Sequence, residues 1–246
     1  MPDRQTIQTA IDALHAELAG RYELVDEPIP VGPLRVHFTR VADPDKVLDE
    51  LCQRIDRYEK ETGQRVNDDS LGLPYWAELW ESSIAIGAYI ARDSGILVRE
   101  KRVIDLGCGM GLAGTVARMF EAKVLFADIE PECLIFARLN GLLYAEKDAD
   151  IEVQRVDWQK DDLRRKFDVI LGADVLYDRA QWPFLEPFFR RHLAPGGTIL
   201  LGEPGRPSGE GFWDWITPRG WTLQRREQRV PGKPSPVKIF ELTTPQ

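Results

Sequence analysis

Twelve residues near the middle of the chain, VIDLGCGMGLAG (103–114), carry the strongest chemical signal in the sequence. Apolar residues run through Asp105 into four glycines, Gly107, Gly109, Gly111 and Gly114. A buried strand that opens into so glycine-rich a turn lets the backbone approach a nucleotide-like molecule closely. Gly109-x-Gly111-x-x-Gly114 fits the dinucleotide fingerprint, and Asp128 follows Gly109 by 19 positions, close to the spacing of a ribose-binding acid.

The charge at the strand end separates two cofactor classes. Asp105 stands two residues before Gly107. A carboxylate there repels the pyrophosphate of a dinucleotide. It suits S-adenosylmethionine (SAM), which brings a cationic ammonium and a sulfonium, received directly or through water. Asp128 ends the next strand and can accept from two ribose hydroxyls. Asp157 and Trp158 end the third, where a carboxylate can accept from an adenine amino group and an indole can cover its ring. Asp157 as a helix N-cap and Trp158 as core remain the alternative.

These residues need elements that bring them to one edge. Strand-like runs at 102–106, 122–128, 151–156, 167–173 and 197–203 alternate with helical segments. That pattern predicts a parallel sheet covered on both faces, with a ligand laid across the carboxyl ends of its strands. GWTLQRREQRV and PVKIFELTT, joined only by PGKPS, predict a terminal antiparallel hairpin. Ahead of the sheet, Ile7, Ile11, Leu14 and Leu18 predict a first helix, and YELVDEPI and LRVHFTRV predict two strands about a PVGP turn. Asp43 and Pro44 open a second helix with the stripe Val47, Leu48, Leu51, Ile55 and Tyr58, and Gly63 ends it. The expected division is an extension over 1–70 and a main domain over 71–246.

With these residues in view, VIDLGCGMG, the acid of FADIE, the DW pair and the terminal hairpin resemble a class I SAM-dependent methyltransferase. LPYWAELWESSIAIGAYI and ADVLYD (173–178) resemble the tryptophan segment and the D/E-x-x-Y/F motif of the family 16 methyltransferases. GEPGR (202–206) resembles the branch that methylates lysine in the electron-transfer flavoprotein β-subunit, with Glu203 where that branch usually has aspartate. The resemblance implies a Rossmann-like α/β fold: a mostly parallel seven-stranded sheet with helices on both faces. It implies methyl transfer from SAM to a protein lysine amine, with S-adenosylhomocysteine (SAH) as product and no metal. Cofactor contacts are then expected from Trp80, Asp105, Gly107, Gly109, Gly111, Asp128, Asp157, Trp158 and Ala173. Asp174 and Tyr177 are the expected catalytic pair, Asp174 orienting the amine rather than acting as a strong base. Their alternative is a helix cap and a core tyrosine. Arg206 is open between a salt bridge and a substrate contact. Trp76 is expected to pack, and Asn140 and His192 to end helices.

Bulk properties narrow the field. The 246 residues are 43% hydrophobic and 29% charged, the mix of a globular protein. The formal charge of −8 argues against a nucleic-acid partner. Cys52, Cys108 and Cys133 form no C-x-x-C pair and the three histidines are scattered, which argues against a metal site. No signal peptide or membrane span is legible, so a cytoplasmic protein is expected. Against a protein-lysine methyltransferase stand a methyltransferase of small molecules, a non-catalytic SAM-binding protein and a nicotinamide oxidoreductase.

Overall fold

The computed structural model describes residues 4–66, 73–92, 94–145 and 151–244. Helix α1 (Arg4–Ala19) leads into the antiparallel hairpin β1 (Leu24–Val31) and β2 (Leu34–Val41), which turns at Gly32. Helix α2 (Pro44–Thr62) follows, closed by Gly63 at φ +69°. Asp43 occupies its N-cap position, yet its side chain makes no capping hydrogen bond. The apolar stripe is present on α2, but none of its residues is buried, and Tyr58 is 46% exposed.

A short 3-10 turn (Tyr75–Ala77) precedes α3 (Glu81–Arg92). Then come β3 (Arg102–Leu106), α4 (Leu112–Met119), β4 (Lys123–Asp128), α5 (Pro131–Leu142), β5 (Glu152–Arg155) and β6 (Phe167–Ala173). Helix α6 (Trp182–His192), β7 (Leu193–Glu203), α7 (Phe212–Ile216), β8 (Thr222–Gln228) and β9 (Val237–Thr243) complete the chain. The seven-stranded sheet has the order β5-β4-β3-β6-β7-β9-β8. Strands β3 to β7 pair in parallel, and β9 pairs antiparallel with both β7 and β8. The α/β class, the parallel centre and the terminal hairpin are those the sequence predicts. Strand β7 starts earlier than expected. Leu193 already pairs with Phe167, and the APGG stretch makes an irregular excursion before Thr198 meets Val169.

Side chains alternate across the strands, so each face buries its own core. Val103, Val124, Phe126, Val169 and Leu171 pack on the face covered by α3, α4 and α5. Ile104, Leu106, Leu125 and Ile170 pack on the other, toward α6 and α7. The β1–β2 hairpin lies outside α3 and α5 on the first face. Chain order reverses between β3 and β6: β4 and β5 extend to one side, β6 and β7 to the other. Such a switch point opens a crevice at the carboxyl ends of the strands.

Asn140 ties the outer hairpin to this crevice. The Asn-Gly pair predicts a helix end, but Asn140 is fully buried within α5. Its Oδ1 accepts from Thr39 N–H at 2.8 Å, and its Nδ2 donates to the carbonyls of Thr39 at 2.9 Å and Met110 at 3.0 Å. One amide therefore joins β2 to the glycine turn. Asn140→Ala strands three buried backbone groups and should cost roughly 2–4 kcal/mol in urea unfolding. A loss under about 1 kcal/mol would show that the clamp is dispensable.

Candidate active site

The turn after β3 is shaped by contacts that exclude side chains. Gly111 has φ +88°, and a Cβ there would lie 2.9 Å from Cα of Ala137 in α5. Gly107 and Gly109 instead face a cavity of about 580 Å³ at the switch point. Its wall also includes Trp80, Asp128, Trp158, Ala173, Asp174 and Tyr177. Eight residues expected from sequence thus converge on one cavity, while Asp105, Gly111 and Asp157 do not line it.

Each of those three has a structural occupation. Asp105 is 1% exposed behind the turn; its Oδ2 accepts from Gly114 N–H at 2.8 Å, and its Oδ1 has no hydrogen-bond partner among the described residues. Burial pushes its carboxyl up to about 7, against the Gly114 bond, with nearby Asp128 adding to the rise. Gly111 shapes the turn from beneath. Asp157 serves its own loop: Oδ1 accepts from Gln159 N–H at 3.0 Å and Oδ2 pairs with Lys160 at 2.8 Å. No helix follows Asp157, so it is not a helix N-cap; its carboxylate instead closes the turn at 158–160, whose backbone donor lies nearer than the cavity.

Asp128 sits at the cavity wall, 9% exposed. Its Oδ2 accepts from Gly109 N–H at 2.9 Å and its Oδ1 from Glu130 N–H at 3.1 Å. Burial raises its pKa, and these backbone bonds oppose the rise. Trp158 donates from Nε1 to Gln181 Oε1 at 3.1 Å, which fixes its ring beside Gly107. Trp80 donates from Nε1 to the Tyr75 carbonyl at 2.8 Å. Trp76 packs against Tyr22 and Phe136 and also reaches the cavity wall.

The acceptor end is built on an unusual backbone. Asp174 has φ +59°, a left-handed conformation that residues with a Cβ rarely adopt. Its N–H is held by the Gly202 carbonyl at 3.0 Å. Both carboxylate oxygens receive the Arg206 fork, Nε at 2.8 Å and Nη2 at 2.7 Å. The same guanidinium lies over the Trp80 ring, 4.7 Å from its centroid. So Arg206 makes a salt bridge, and it stands in the cavity wall. Tyr177 is 45% exposed, its ring 5.8 Å from that of Tyr75.

Sequence reasoning passed over Tyr75, Ile129 and Glu130, which also line the wall. Glu130 had a signal, its place two residues after the acid of β4. Tyr75 lay inside a segment chosen for its tryptophans. His192 ends α6 as expected, buried with Nδ1 3.1 Å from the Arg165 carbonyl. Among the described residues, no group of three or more His, Cys, Asp or Glu side chains could hold a metal ion, and no helix is long and apolar enough to cross a membrane.

Asp105 generates a pH signature. Its folded pKa stands above the ordinary value near ~3.9, so the fold holds the proton more tightly than the unfolded chain does. Stability from this group is present below the unfolded pKa and declines as pH rises toward about 7. Asp105→Asn removes that decline. Its melting temperature relative to the wild type should climb between pH 4 and 7 and then level. A constant difference across that range would contradict the assignment.

Comparison with known proteins fits this geometry. The sequence pattern of a family described as lysine methyltransferase matches residues 63–212. The chain is 34% identical over 137 residues to the electron transfer flavoprotein beta subunit lysine methyltransferase of Xenopus laevis, covering 55% of this chain and 54% of that one. It is 29% identical over 141 residues to the protein N-lysine methyltransferase METTL21A of Danio rerio, covering 56% and 64% respectively. The chain therefore spans about half the length of the first relative and under two thirds of the second. Its fold is similar to that of the N-methyltransferase NodS from Bradyrhizobium japonicum WM9 in complex with S-adenosyl-L-homocysteine, with TM-score 0.56, 17% identity and coverage of 80% and 99%. The family match takes in the glycine turn, the acid of β4, Trp80 and the Asp174–Tyr177 motif, and the chain belongs to the lysine methyltransferase family.

Proposed function

We propose that the protein transfers a methyl group from SAM to the side-chain amine of a protein lysine. The carrying observation is that the glycine turn and the Asp174–Tyr177 motif open into one cavity. The wall charges favour this cofactor class. Asp128, Glu130 and Asp174 face the cavity with Arg206. The Gly109 and Gly114 amides, which an anionic pyrophosphate would need, already donate to Asp128 and Asp105. A site whose amides are so engaged suits a ligand that arrives with positive charge.

Bound SAM would supply a methyl group on a positively charged sulfur, which a neutral amine can take by in-line attack. The chain's part is to hold the reactants. Asp128 uses one lone pair of each oxygen on backbone N–H and keeps others for ribose hydroxyls. Trp158 and Ala173 offer flat or small surfaces to the cofactor, and Trp80 closes the side toward the acceptor. Gly107 and Gly109 let the backbone come close, with Gly111 and Asp105 supporting the turn from behind. Asp157 would act only through the turn it closes. Tyr177 and the Asp174–Arg206 pair would align the lysine, and most of the rate would come from that positioning.

The extension up to about residue 70 is a separate layer in this reading, and the residues after it form the catalytic unit. The substrate named for the Xenopus laevis relative, the electron transfer flavoprotein β subunit, is a first candidate acceptor. A reducing compartment, the cytoplasm, suits free Cys52, Cys108 and Cys133.

Labelled SAM, supplied with a cell extract and separately with that β subunit, tests the reading. Label should enter lysine of a discrete protein. Asp174→Ala should lower the rate on the order of 100-fold while leaving SAH binding within about threefold. Label confined to small molecules or nucleic acid would overturn it.

A further inference from the structure

We propose that Arg206 is a positioning residue that keeps the acceptor pocket electrically neutral, so that an incoming amine can lose its proton. The inference rests on the amine-methylating reading above. A lysine amine must be neutral to attack, and a bare carboxylate beside it favours the charged ammonium. Asp174, buried at the acceptor end, is such a carboxylate. Arg206 answers it with a two-point fork, and its face is covered by Trp80.

The surrounding charges single out this pair. Glu203 from β7 is buried and bonds Lys238 from β9 at 2.9 Å. Glu81 from α3 pairs with Lys233 from the β8–β9 link at 3.4 Å. On the turn after β6, Asp178 accepts from Ala180 N–H and from Gln181. Across the cavity, Asp128 is bonded by backbone amides, and Glu130 lies at its wall with Tyr75 and Tyr177. Of the acids whose charge reaches Arg206, Glu203 and Glu81 each have a lysine of their own, whereas Asp174 is answered by Arg206 itself.

The loop carrying Arg206 is held as a rigid mount. Glu203 Oε1 accepts from Gly205 N–H at 2.6 Å and from Arg206 N–H. Arg179 donates to the carbonyls of Pro207, Ser208 and Glu210 at 3.1, 2.9 and 2.6 Å. A guanidinium delivered by so many bonds is part of the pocket's charge, not a side chain in passing. An arginine also suits the task chemically, because it stays charged at any working pH and matches a carboxylate at two points.

The test compares wild type with Arg206→Met, Arg206→Lys and the double variant Arg206→Met/Asp174→Asn, each first shown to bind SAH. The first arm needs no protein substrate: n-pentylammonium chloride is titrated into SAH-saturated protein. Arg206→Met should bind this cation at least about tenfold more tightly than wild type, and the double variant should return to the wild-type affinity. In the second arm, initial rates of methyl transfer into extract protein are followed from pH 6.5 to 9.5. The midpoint of the rising limb should move up by about one pH unit or more in Arg206→Met, stay near wild type in Arg206→Lys, and return in the double variant. Unchanged cation affinity and pH midpoint in Arg206→Met would overturn the proposal. So would faster transfer at every pH, which would make Arg206 a plug. Absence of any methyl transfer by the wild type would sink the functional reading alone, since the cation titration still decides the role of Arg206.

Discussion

Two buried carboxylates at the ends of neighbouring strands are the constraint around which this molecule is arranged. Asp105 and Asp128 are held by backbone N–H groups, Gly114 for one and Gly109 and Glu130 for the other. Burying an acid against amide dipoles is costly, and both side chains are pushed toward their protonated forms by desolvation. Yet these bonds fix the turn. They set where α4 begins, how near Gly111 comes to α5, and which way Gly107 and Gly109 face. They also give the crevice its sign, because amides spent on internal carboxylates are not offered to a phosphate.

The topology then gathers the rest with few moving parts. Chain order reverses beside β3, so the ends of β3, β4, β6 and β7 meet the same crevice. The turn after β6 brings Asp174 and the turn after β7 brings Arg206, across adjacent parallel strands. Where they meet, Asp174 holds a left-handed backbone conformation at the cavity wall. The Asn140 clamp and the Tyr22–Trp76–Phe136 cluster link the outer hairpin layer to the same crevice.

Most of the architecture was legible because it rests on period and punctuation. Alternating strands and helices, and a hairpin joined by five residues, leave few topologies. The glycine turn was legible for the same reason. What escaped depended on competition between near and distant partners. Asp157 at a strand end suits a ligand or its own turn equally well, and the local Gln159 amide won. Asn140 beside Gly141 has the pattern of a helix end, but buried backbone groups of Thr39 and Met110 claimed it. Arg206 lies 32 positions from Asp174, so its role was visible only through the adjacency of β6 and β7. The stripe on α2 was correct as a period but carried no information about burial.

The central claim is that internal carboxylates make this glycine turn a seat for a cationic amino-acid nucleoside rather than for a pyrophosphate. Calorimetric titration of the purified protein with SAH and with NADH tests it most directly. The account expects one SAH per chain at micromolar affinity, weakened about tenfold or more by Asp128→Ala, and no measurable heat from NADH. Saturable NADH binding without SAH binding would contradict it.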